Sequence, residues 1–422
     1  MPLPFRDKEQ TLPNNKVVAM KRLNLLRKRF GRDHKYKDDY MAFMKEIIDK
    51  GYAEEADVND NKKAPGSVWY IPHHGVYHPR KPGKIRVVFD CSARYQGVCL
   101  NDILLQGPDL INPLIGVLSR FRLEQVAFVC DLEKMFFQFF VKEEHRDFLR
   151  FLWWKDGNFE TEEPKVFRMR VHLFGAVSSP SVANFGLQKA ADDGENEFGS
   201  ETADFVRSDF YMDYGLKSVP TVDAAKILVS NSKGLCANRG LRLHKFVSNS
   251  SAVLDSIVPE DRAKCFENMD LAYEAAPIER VLGVQWAIES DCFQFRITLK
   301  DRPNTRRGIL SAVSSVYDPL GFLAPYVLNG KRILQDICKE QVDWDDPLPD
   351  VIVARWVKWC NGLPVLENLK IPRCFKPKNF GRVQIVELHH FSDANFDGYG
   401  QSSYLRLVDE NGRVHCSLSG HG

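Results

Sequence analysis

Two aspartates, Asp131 and Asp213, lie where a carboxylate could hold a metal ion. Asp131 follows VAFVC, an apolar run typical of a strand that is buried on both faces. A carboxylate at that position is costly to bury unless it is paired or binds a cation. Asp213 lies in FYMDYGLKS, where two short runs around the aspartate predict a hairpin. If the two strands are neighbours, the carboxylates could hold divalent cations for an in-line displacement at phosphorus. A hairpin aspartate is also a common structural turn residue, so spacing alone leaves both interpretations open.

The elements around the two aspartates predict an α/β layer with helices on one face of a sheet. A helix is expected after Asn112, with that residue as its cap, and it precedes the strand that ends at Asp131. Another helix begins at Ser179 and leads to the hairpin. A helix capped by Thr221 and the short strand LRLHKFV follow. Farther along, RVLGVQW and CFQFRI predict paired strands, residues 305–317 and 350–361 predict helices, and three final strands include an Asn411-Gly412 turn.

Length and composition indicate a globular chain of several domains. The 422 residues are 44% hydrophobic and 27% charged, with a net charge of +2. No apolar run approaches the roughly 18 residues that a membrane span needs, and the N-terminus lacks a signal-peptide core, so no membrane association is expected. Ten scattered cysteines without a CxxC pair favour a reducing compartment, cytoplasmic or nuclear rather than secreted. His73, His74 and His78 do not have a zinc-site spacing with any cysteine pair.

The N-terminal segment has a local excess of positive charge. Residues 1–50 include 13 Lys and Arg side chains against 7 Asp and Glu, with Lys21-Arg22 and Arg27-Lys28-Arg29 as clusters. Such a segment could contact phosphates, or it could be the solvated face of a helix.

The chain contains seven motifs in a fixed order: KIRVVFDCSARYQGVCLNDILLQGPDL, FVCDLEKMFFQF, VHLFGAVSSPSVAN, FYMDYGLKS, LRLHKFVSNS, RVLGVQW and SSVYDPLGFLAPYVL. Together they resemble the reverse transcriptase region of BEL/Pao-type long-terminal-repeat retrotransposons. The resemblance covers nearly the whole chain and implies a right-hand polymerase fold with fingers, palm and thumb or connection, followed by a partial ribonuclease H-like domain. The implied divisions are a basic N-terminal helical segment (1–64), fingers and palm (65–250), thumb or connection (251–380) and a truncated ribonuclease H-like domain (381–422).

The resemblance also implies an activity. An RNA-directed DNA polymerase, a nucleotidyltransferase, would bind an RNA or DNA template-primer duplex and deoxynucleoside triphosphates and would use two Mg²⁺ ions. Asp131 and Asp213 match the metal-binding, catalytic aspartates of such enzymes. The alternative is a decayed or co-opted copy that binds nucleic acid without chemistry.

Further positions match nucleotide-binding residues of the family. Phe136 matches the aromatic ring that excludes a 2′-hydroxyl, although core packing is the other interpretation. Phe174 and Gly175 match the loop under the incoming nucleotide, where glycine permits close approach. The implied cations are Lys84 and Arg86 at the triphosphate, which could equally be solvated, and Lys245 behind the leaving pyrophosphate.

The sequence departs from the family at the hairpin. Two adjacent aspartates are expected there, but Tyr214 follows Asp213, which removes one of three carboxylates and makes activity doubtful. Glu133, two residues after Asp131, would lie on the same strand face if the strand continues that far, but a rescue by Glu133 is not expected. Asp393 matches the first metal-binding aspartate of ribonuclease H, whose other acidic residues would lie beyond Gly422, so nuclease activity is not expected.

Overall fold

The computed structural model describes residues 1–7, 11–56, 66–78, 81–155, 157–159, 162–263, 268–270, 282–297, 303–396 and 398–421. The chain forms two compact units, each made from several segments. The first unit contains residues 1–111, 132–199 and 235–242, and the second contains residues 112–131, 200–234 and 243–422. The expected domain boundary at 64/65 lies outside the described residues, as do residues 280 and 281 of the RVLGVQW motif. In the part of the chain that is described, no helix is both long and apolar enough to cross a bilayer.

The chain alternates helices and strands, as the α/β interpretation predicts. The helices are α1 (Lys16–Phe30), α2 (His34–Asp49), α3 (Leu100–Ile103), α4 (Leu114–Phe121), α5 (Ser179–Phe198), α6 (Ser200–Ser208), α7 (Val222–Ala237), α8 (Ser251–Asp255), α9 (Arg306–Ser314), α10 (Ala324–Lys339) and α11 (Asp350–Gly362). The strands are β1 (Ala53–Glu55), β2 (His73–His78), β3 (Lys81–Phe89), β4 (Val126–Leu132), β5 (Arg150–Trp153), β6 (Lys165–Met169), β7 (Phe210–Tyr211), β8 (Tyr214–Val219), β9 (Leu243–Ser248), β10 (Asn268–Asp270), β11 (Leu282–Ala287), β12 (Cys292–Ile297), β13 (Ile371–Pro372), β14 (Val383–Asn395), β15 (Gly398–Asp409) and β16 (Val414–His421).

The first unit packs α1 and α2 against a small sheet of order β1-β6-β5 and the hairpin β2-β3. Helix α2 buries Tyr36, Tyr40, Met44 and Ile47, whose spacing places them on one helix face. The helix is followed by Gly51, whose φ of +68° is in the left-handed region that favours glycine after a helix end. The apolar spacing and the glycine together make α2 an amphipathic helix that stops at a glycine.

His73 is a buried core residue of the first unit rather than part of a polar site. Its Nε2 donates to the carbonyl oxygen of Leu152 at 3.0 Å, which leaves Nδ1 to accept from the hydroxyl of Tyr40. Burial lowers the pKa of His73 from 6.5 to about 4, because protonation would place an unneutralised charge in the core.

The pH dependence of stability should report this buried histidine. The folded-state pKa lies below the unfolded value, so the unfolded chain binds more protons between pH 6.5 and 4, and the free energy of unfolding falls as pH decreases through that window. His73 alone should account for roughly 3 kcal/mol, at about 1.4 kcal/mol per pKa unit. Urea unfolding at several pH values, compared with His73→Gln, measures the contribution, since glutamine can keep both hydrogen bonds. His172, whose pKa is also about 4, is present in both proteins. Parallel pH profiles would contradict the assignment.

The second unit contains the sheet predicted to hold the aspartates, with strand order β7-β8-β4-β9. Strand β4 is central and its residues from Ala127 to Leu132 are buried, which confirms the expectation of a strand covered on both faces. One face packs Ala127, Val129 and Leu216 into an apolar cluster with α4 and the C-terminal helices. On the other face, Phe128 contacts Phe205 of α6 at a ring-centroid distance of 5.4 Å.

The capping role expected of Asn112 is wrong. Pro113 occupies the N-cap position of α4, and no side chain caps the helix there. The Asn112 amide instead donates to the carbonyl oxygens of Arg207 and Phe210, at 2.9 and 2.8 Å. The side chain thus holds the entrance to the β7-β8 hairpin, a longer-range role that competes with local capping.

The remainder of the second unit has two further sheets, of order β10-β11-β12-β13 and β14-β15-β16. The pairing of Leu282–Ala287 with Cys292–Ile297 confirms the predicted strand pair for its described residues. Asn411 and Gly412 lie in the turn between β15 and β16, as expected, and Gly412 has a φ of +77°. Helices α9 and α11 begin and end within three residues of the predicted positions.

Candidate functional site

Asp131 lies directly opposite Tyr214 in the antiparallel pairing of β4 and β8. Directly opposed residues point to the same face of a sheet, with Cβ atoms roughly 5 Å apart. The two strands are therefore neighbours, as the sequence interpretation required. The residue that faces Asp131 across the ladder is the tyrosine that replaces the expected second aspartate.

Asp213 occupies the two-residue turn that joins β7 to β8. Tyr211 pairs with Tyr214, so Met212 and Asp213 form the loop. Met212 has a φ of +55°, a backbone region that glycine usually supplies at the first position of a type II′ hairpin turn. A strained non-glycine residue persists only where surrounding structure holds it, and such strain is typical of functional turns.

Buried ionic contacts hold the base of the hairpin. Asp209, which is almost fully buried, accepts from Lys217 Nζ at 2.6 Å and from Arg120 Nε at 2.6 Å. The Leu216 amide donates to the Asp209 carbonyl oxygen at 3.0 Å. Together with the Asn112 contacts, these bonds fix the two strands that present Asp213.

Two basic side chains of β9, His244 and Lys245, contact Asp131. The ammonium of Lys245 forms an ion pair with Asp131 Oδ2, and His244 Nε2 lies 3.7 Å from the same oxygen. Burial acts to raise the pKa of Asp131, but hydrogen bonds from His244 and Lys245 outweigh it and hold the pKa below its ordinary value. Asp131 is thus an ionised, partly neutralised carboxylate. Lys245 also has a φ of +50°.

The side chains present fit a magnesium site with two carboxylates rather than three. Carboxylate oxygens are suitable ligands, and Mg²⁺ in nucleotide sites is commonly held by one or two carboxylates plus substrate phosphates. Asp131 and Asp213 are the two carboxylates expected to bind the ion. Within the described ranges, no group of three or more His, Cys, Asp or Glu side chains is arranged to hold a metal ion. A cation on Asp131 would have to displace the ammonium of Lys245.

Glu133 does not serve as a substitute carboxylate. Strand β4 ends at Leu132, so the alternation that would return Glu133 to the face of Asp131 stops there. Glu133 instead forms an ion pair with Arg242 at 3.0 Å, and its amide donates to the Arg242 carbonyl oxygen.

Three of the expected nucleotide-binding residues lie close together in the first unit. The rings of Phe136 and Phe174 are in contact, with centroids 5.4 Å apart, and Phe174 is 52% exposed. Gly175 has a φ of +110°, and a Cβ there would lie 3.1 Å from the Phe89 carbonyl oxygen, so both conformation and space favour glycine. Asn101 holds this loop, because its side chain donates to Gly175 O and accepts from Val177 N, each at 3.0 Å.

Lys84 and Arg86 are exposed on β3 and, two residues apart, share one face. The strand ends at Phe89, which contacts the Gly175 loop, so Arg86 lies roughly 10 Å along the strand from that contact. Both cations therefore belong to the same unit as Phe136 and Phe174. Asp131, Asp213, Tyr214 and Lys245 belong to the second unit.

Asp393 lies near the C-terminal end of strand β14, where it pairs with Gly400 of β15. The side chain is exposed, and its Oδ1 accepts from the Ala394 amide at 2.9 Å. Its role in a ribonuclease H-like site stays a prediction.

Three supporting residues were missed by the sequence analysis: His244, Asp209 and Asn101. His244 adjoins the predicted Lys245 in LRLHKFV, so strand alternation alone would have placed it on the opposite face. Asp209 immediately precedes the hairpin, which is a usable signal for a structural carboxylate. Nothing in the local pattern marks Asn101, which acts across 74 residues.

Comparison with known proteins bears on both the C-terminal region and the whole chain. Residues 305–420 match the family described as the Pao retrotransposon-like RNaseH-like domain. The chain is also similar to the foamy viral protease-reverse transcriptase dRH solved in complex with double-stranded DNA, with a TM-score of 0.56 and 12% sequence identity. The similarity covers 92% of this chain but 56% of the foamy viral chain, so this protein spans little more than half of that length. No curated protein sequence matches.

At 12% identity, the structural likeness shows the fold and leaves activity to be tested. The family match begins at residue 305 and includes α9–α11 and β14–β16, so it starts within the segment expected to be thumb or connection. The chain therefore has an α/β fold similar to that of the foamy viral protease-reverse transcriptase, and its residues 305–420 resemble the Pao retrotransposon-like RNaseH-like domain.

Proposed function

We propose that this protein is a reverse transcriptase unit that binds a primer–template duplex and polymerises deoxynucleotides slowly, through Asp131 and Asp213. The observation that carries the proposal is the pairing of β4 with the β7-β8 hairpin, which sets Asp131 opposite the hairpin in a chain of reverse transcriptase fold.

The proposed roles follow from the chemistry of each side chain. Asp131 and Asp213 would hold magnesium, which when bound supplies charge neutralisation on the transferring phosphate. Phe136 and Phe174 would pack against the sugar and base of the incoming nucleotide, and Gly175 lets that nucleotide approach the backbone. Lys84 and Arg86 would bind the triphosphate oxygens. Lys245 would release Asp131 when magnesium binds and would then be available to the departing pyrophosphate.

Tyr214 is the reason to propose a slow enzyme. A tyrosine hydroxyl, with an ordinary pKa near 10, is neutral at pH 7 and contributes no charge where the family has a carboxylate. Its ring packs against the apolar cluster of the second unit. The site is thus left with two anionic ligands, of which one is already neutralised by Lys245.

The tyrosine at position 214 and the ion pair of Lys245 with Asp131 also favour a second candidate function, nucleic-acid binding without chemistry. In that case the Lys245–Asp131 ion pair would be the permanent state of the site, and no magnesium would displace it. Primer extension distinguishes the two functions, since both predict duplex binding.

Duplex binding should weaken steeply as salt concentration rises. With four or more phosphate contacts, the affinity for a primer–template should fall roughly 100-fold between about 50 mM and about 200 mM salt, because binding releases condensed counterions. Fluorescence anisotropy of a labelled duplex measures the affinity at each concentration, and a mixed DNA sequence and its permuted version control for sequence preference. Affinity that is constant across this range would count against a phosphate-contacting surface.

A further inference from the structure

Helix α1 has a strongly basic exposed face. The helix contains six cations, namely Lys16, Lys21, Arg22, Arg27, Lys28 and Arg29, and no Asp or Glu. Its other face buries Ala19, Leu23, Leu26 and Phe30 in the core of the first unit. The buried face fixes the orientation of the helix, so the opposite face is presented to solvent permanently.

Several of these cations already have structural contacts. Arg22 lies 3.6 Å from Asp90, and the Arg29 guanidinium stacks 3.6 Å from the centre of the Tyr36 ring. Lys16 lies over the Tyr70 ring at 5.9 Å. Lys21 and Lys28 differ, since both are exposed and neither forms an ion pair with any carboxylate in the described part of the chain.

The spacing of these two lysines suits a phosphate backbone. They are seven residues apart, close to two helical turns, so they lie on the same face with a drift of only about 20°. Their separation along the helix is roughly 10 Å at 1.5 Å per residue. Phosphates along one strand of a duplex repeat at roughly 3.4 Å along the axis, so the two ammonium groups match about three steps.

We propose that the exposed face of α1 is a second nucleic-acid contact, in which Lys21 and Lys28 bind the sugar–phosphate backbone of one strand. The contact is separate from the residues proposed for the nucleotide site, and it rests on the proposed function in that the chain must bind nucleic acid. Asn24, also exposed, lies between the lysines on this face and can donate to a phosphate oxygen.

An anionic membrane is a poorer match for the same face. Interfacial helices insert a continuous apolar face into the lipid, whereas the apolar face of α1 is buried within the protein. On the exposed face, the apolar side chains Val17 and Leu25 are single residues separated by Lys21.

The test compares two charge-removing double variants of the full chain. Lys21→Gln/Lys28→Gln removes the proposed contacts, and Lys35→Gln/Lys45→Gln removes two exposed lysines of α2 that are already paired with Asp39 and Asp49. Anisotropy with a labelled primer–template should show about a tenfold loss of affinity for the α1 variant at low salt. The slope of log affinity against log salt should fall by roughly 1.8, at about 0.9 per phosphate contact. The α2 variant should match the wild type in both quantities.

The outcomes separate this inference from the proposed function. If the wild type binds the duplex and the α1 variant binds equally well, or the α2 variant weakens as much, the α1 contact is wrong and the proposed function stands. If the wild type does not bind the duplex, both are overturned. Binding of the wild type to vesicles containing phosphatidylserine, lost in the α1 variant while duplex affinity is unchanged, would assign the face to a membrane and overturn the proposal. Circular dichroism of each variant confirms that the fold is retained.

Discussion

Replacing Tyr214 by aspartate is expected to raise the rate of primer extension by roughly 100-fold. The new carboxylate would lie opposite Asp131 on the same sheet face and would add a third anionic group to the proposed magnesium site. Such a metal contact contributes several kcal/mol at the transition state, and about 3 kcal/mol corresponds to two decades in rate. The measurement is single-turnover extension of a labelled primer on an RNA template with Mg²⁺ and deoxynucleoside triphosphates.

Tyr214→Asn is the matched control, because asparagine has the size and hydrogen-bonding capacity of aspartate without its charge. It should extend primers no faster than the wild type. Thermal unfolding provides a readout that does not depend on activity: Mg²⁺ should raise the melting temperature of Tyr214→Asp more than that of Tyr214→Asn, since a ligand stabilises the state that binds it. Equal rates and equal Mg²⁺ effects in the two variants would show that charge at position 214 does not limit the site.

Replacing Arg373 by methionine is expected to destabilise the second unit by roughly 3–5 kcal/mol. Arg373 is fully buried, pairs with both carboxylate oxygens of Asp291 at 2.6 and 2.8 Å, and donates to the carbonyl oxygens of Phe121, Glu124 and Gln125. Its removal leaves a partly buried carboxylate and three carbonyl oxygens without their donor, and breaking a buried pair in this way costs roughly that amount. Urea unfolding followed by tryptophan fluorescence measures the change.

Arg355→Met provides the comparison for Arg373. Arg355 is half-exposed and pairs with Asp336 at 2.8 Å, so its loss should cost no more than about 1 kcal/mol. A double variant, Arg373→Met with Asp291→Leu, should recover part of the lost stability because the unpaired carboxylate is also removed. If the two single arginine variants lose similar free energies of unfolding, the buried contacts of Arg373 do not contribute more than an exposed ion pair, and the prediction is wrong.

Sequence reasoning predicted the elements of the site well because each has a local signal. The buried strand before Asp131 has continuous apolarity, and the hairpin has two strand-forming runs around a short turn, so both could be predicted without tertiary information. The order of the seven motifs carried the family resemblance, and the RNaseH-like match over residues 305–420 and the fold likeness to a foamy viral protease-reverse transcriptase agree with it.

The details that decide the chemistry were not predictable in the same way. Strand register places Tyr214, rather than Asp213, opposite Asp131, and register depends on pairing across more than 80 residues of sequence. Lys245, which forms the ion pair with Asp131, has a positive φ. Lysine rarely adopts this backbone conformation, so the sequence does not predict it. Asn112 showed the same limitation, since its local capping signal lost to carbonyl oxygens about 95 residues away.

The most direct test of the central claim is single-turnover primer extension by the wild-type chain, with Asp131→Asn as the reference. Both proteins are first loaded on the same labelled primer–template, and binding is verified by anisotropy before Mg²⁺ and deoxynucleoside triphosphates are added. The account predicts slow, Mg²⁺-dependent addition of nucleotides by the wild type and none by Asp131→Asn. Equal duplex binding with no extension by either protein would contradict the polymerase assignment and leave nucleic-acid binding as the function.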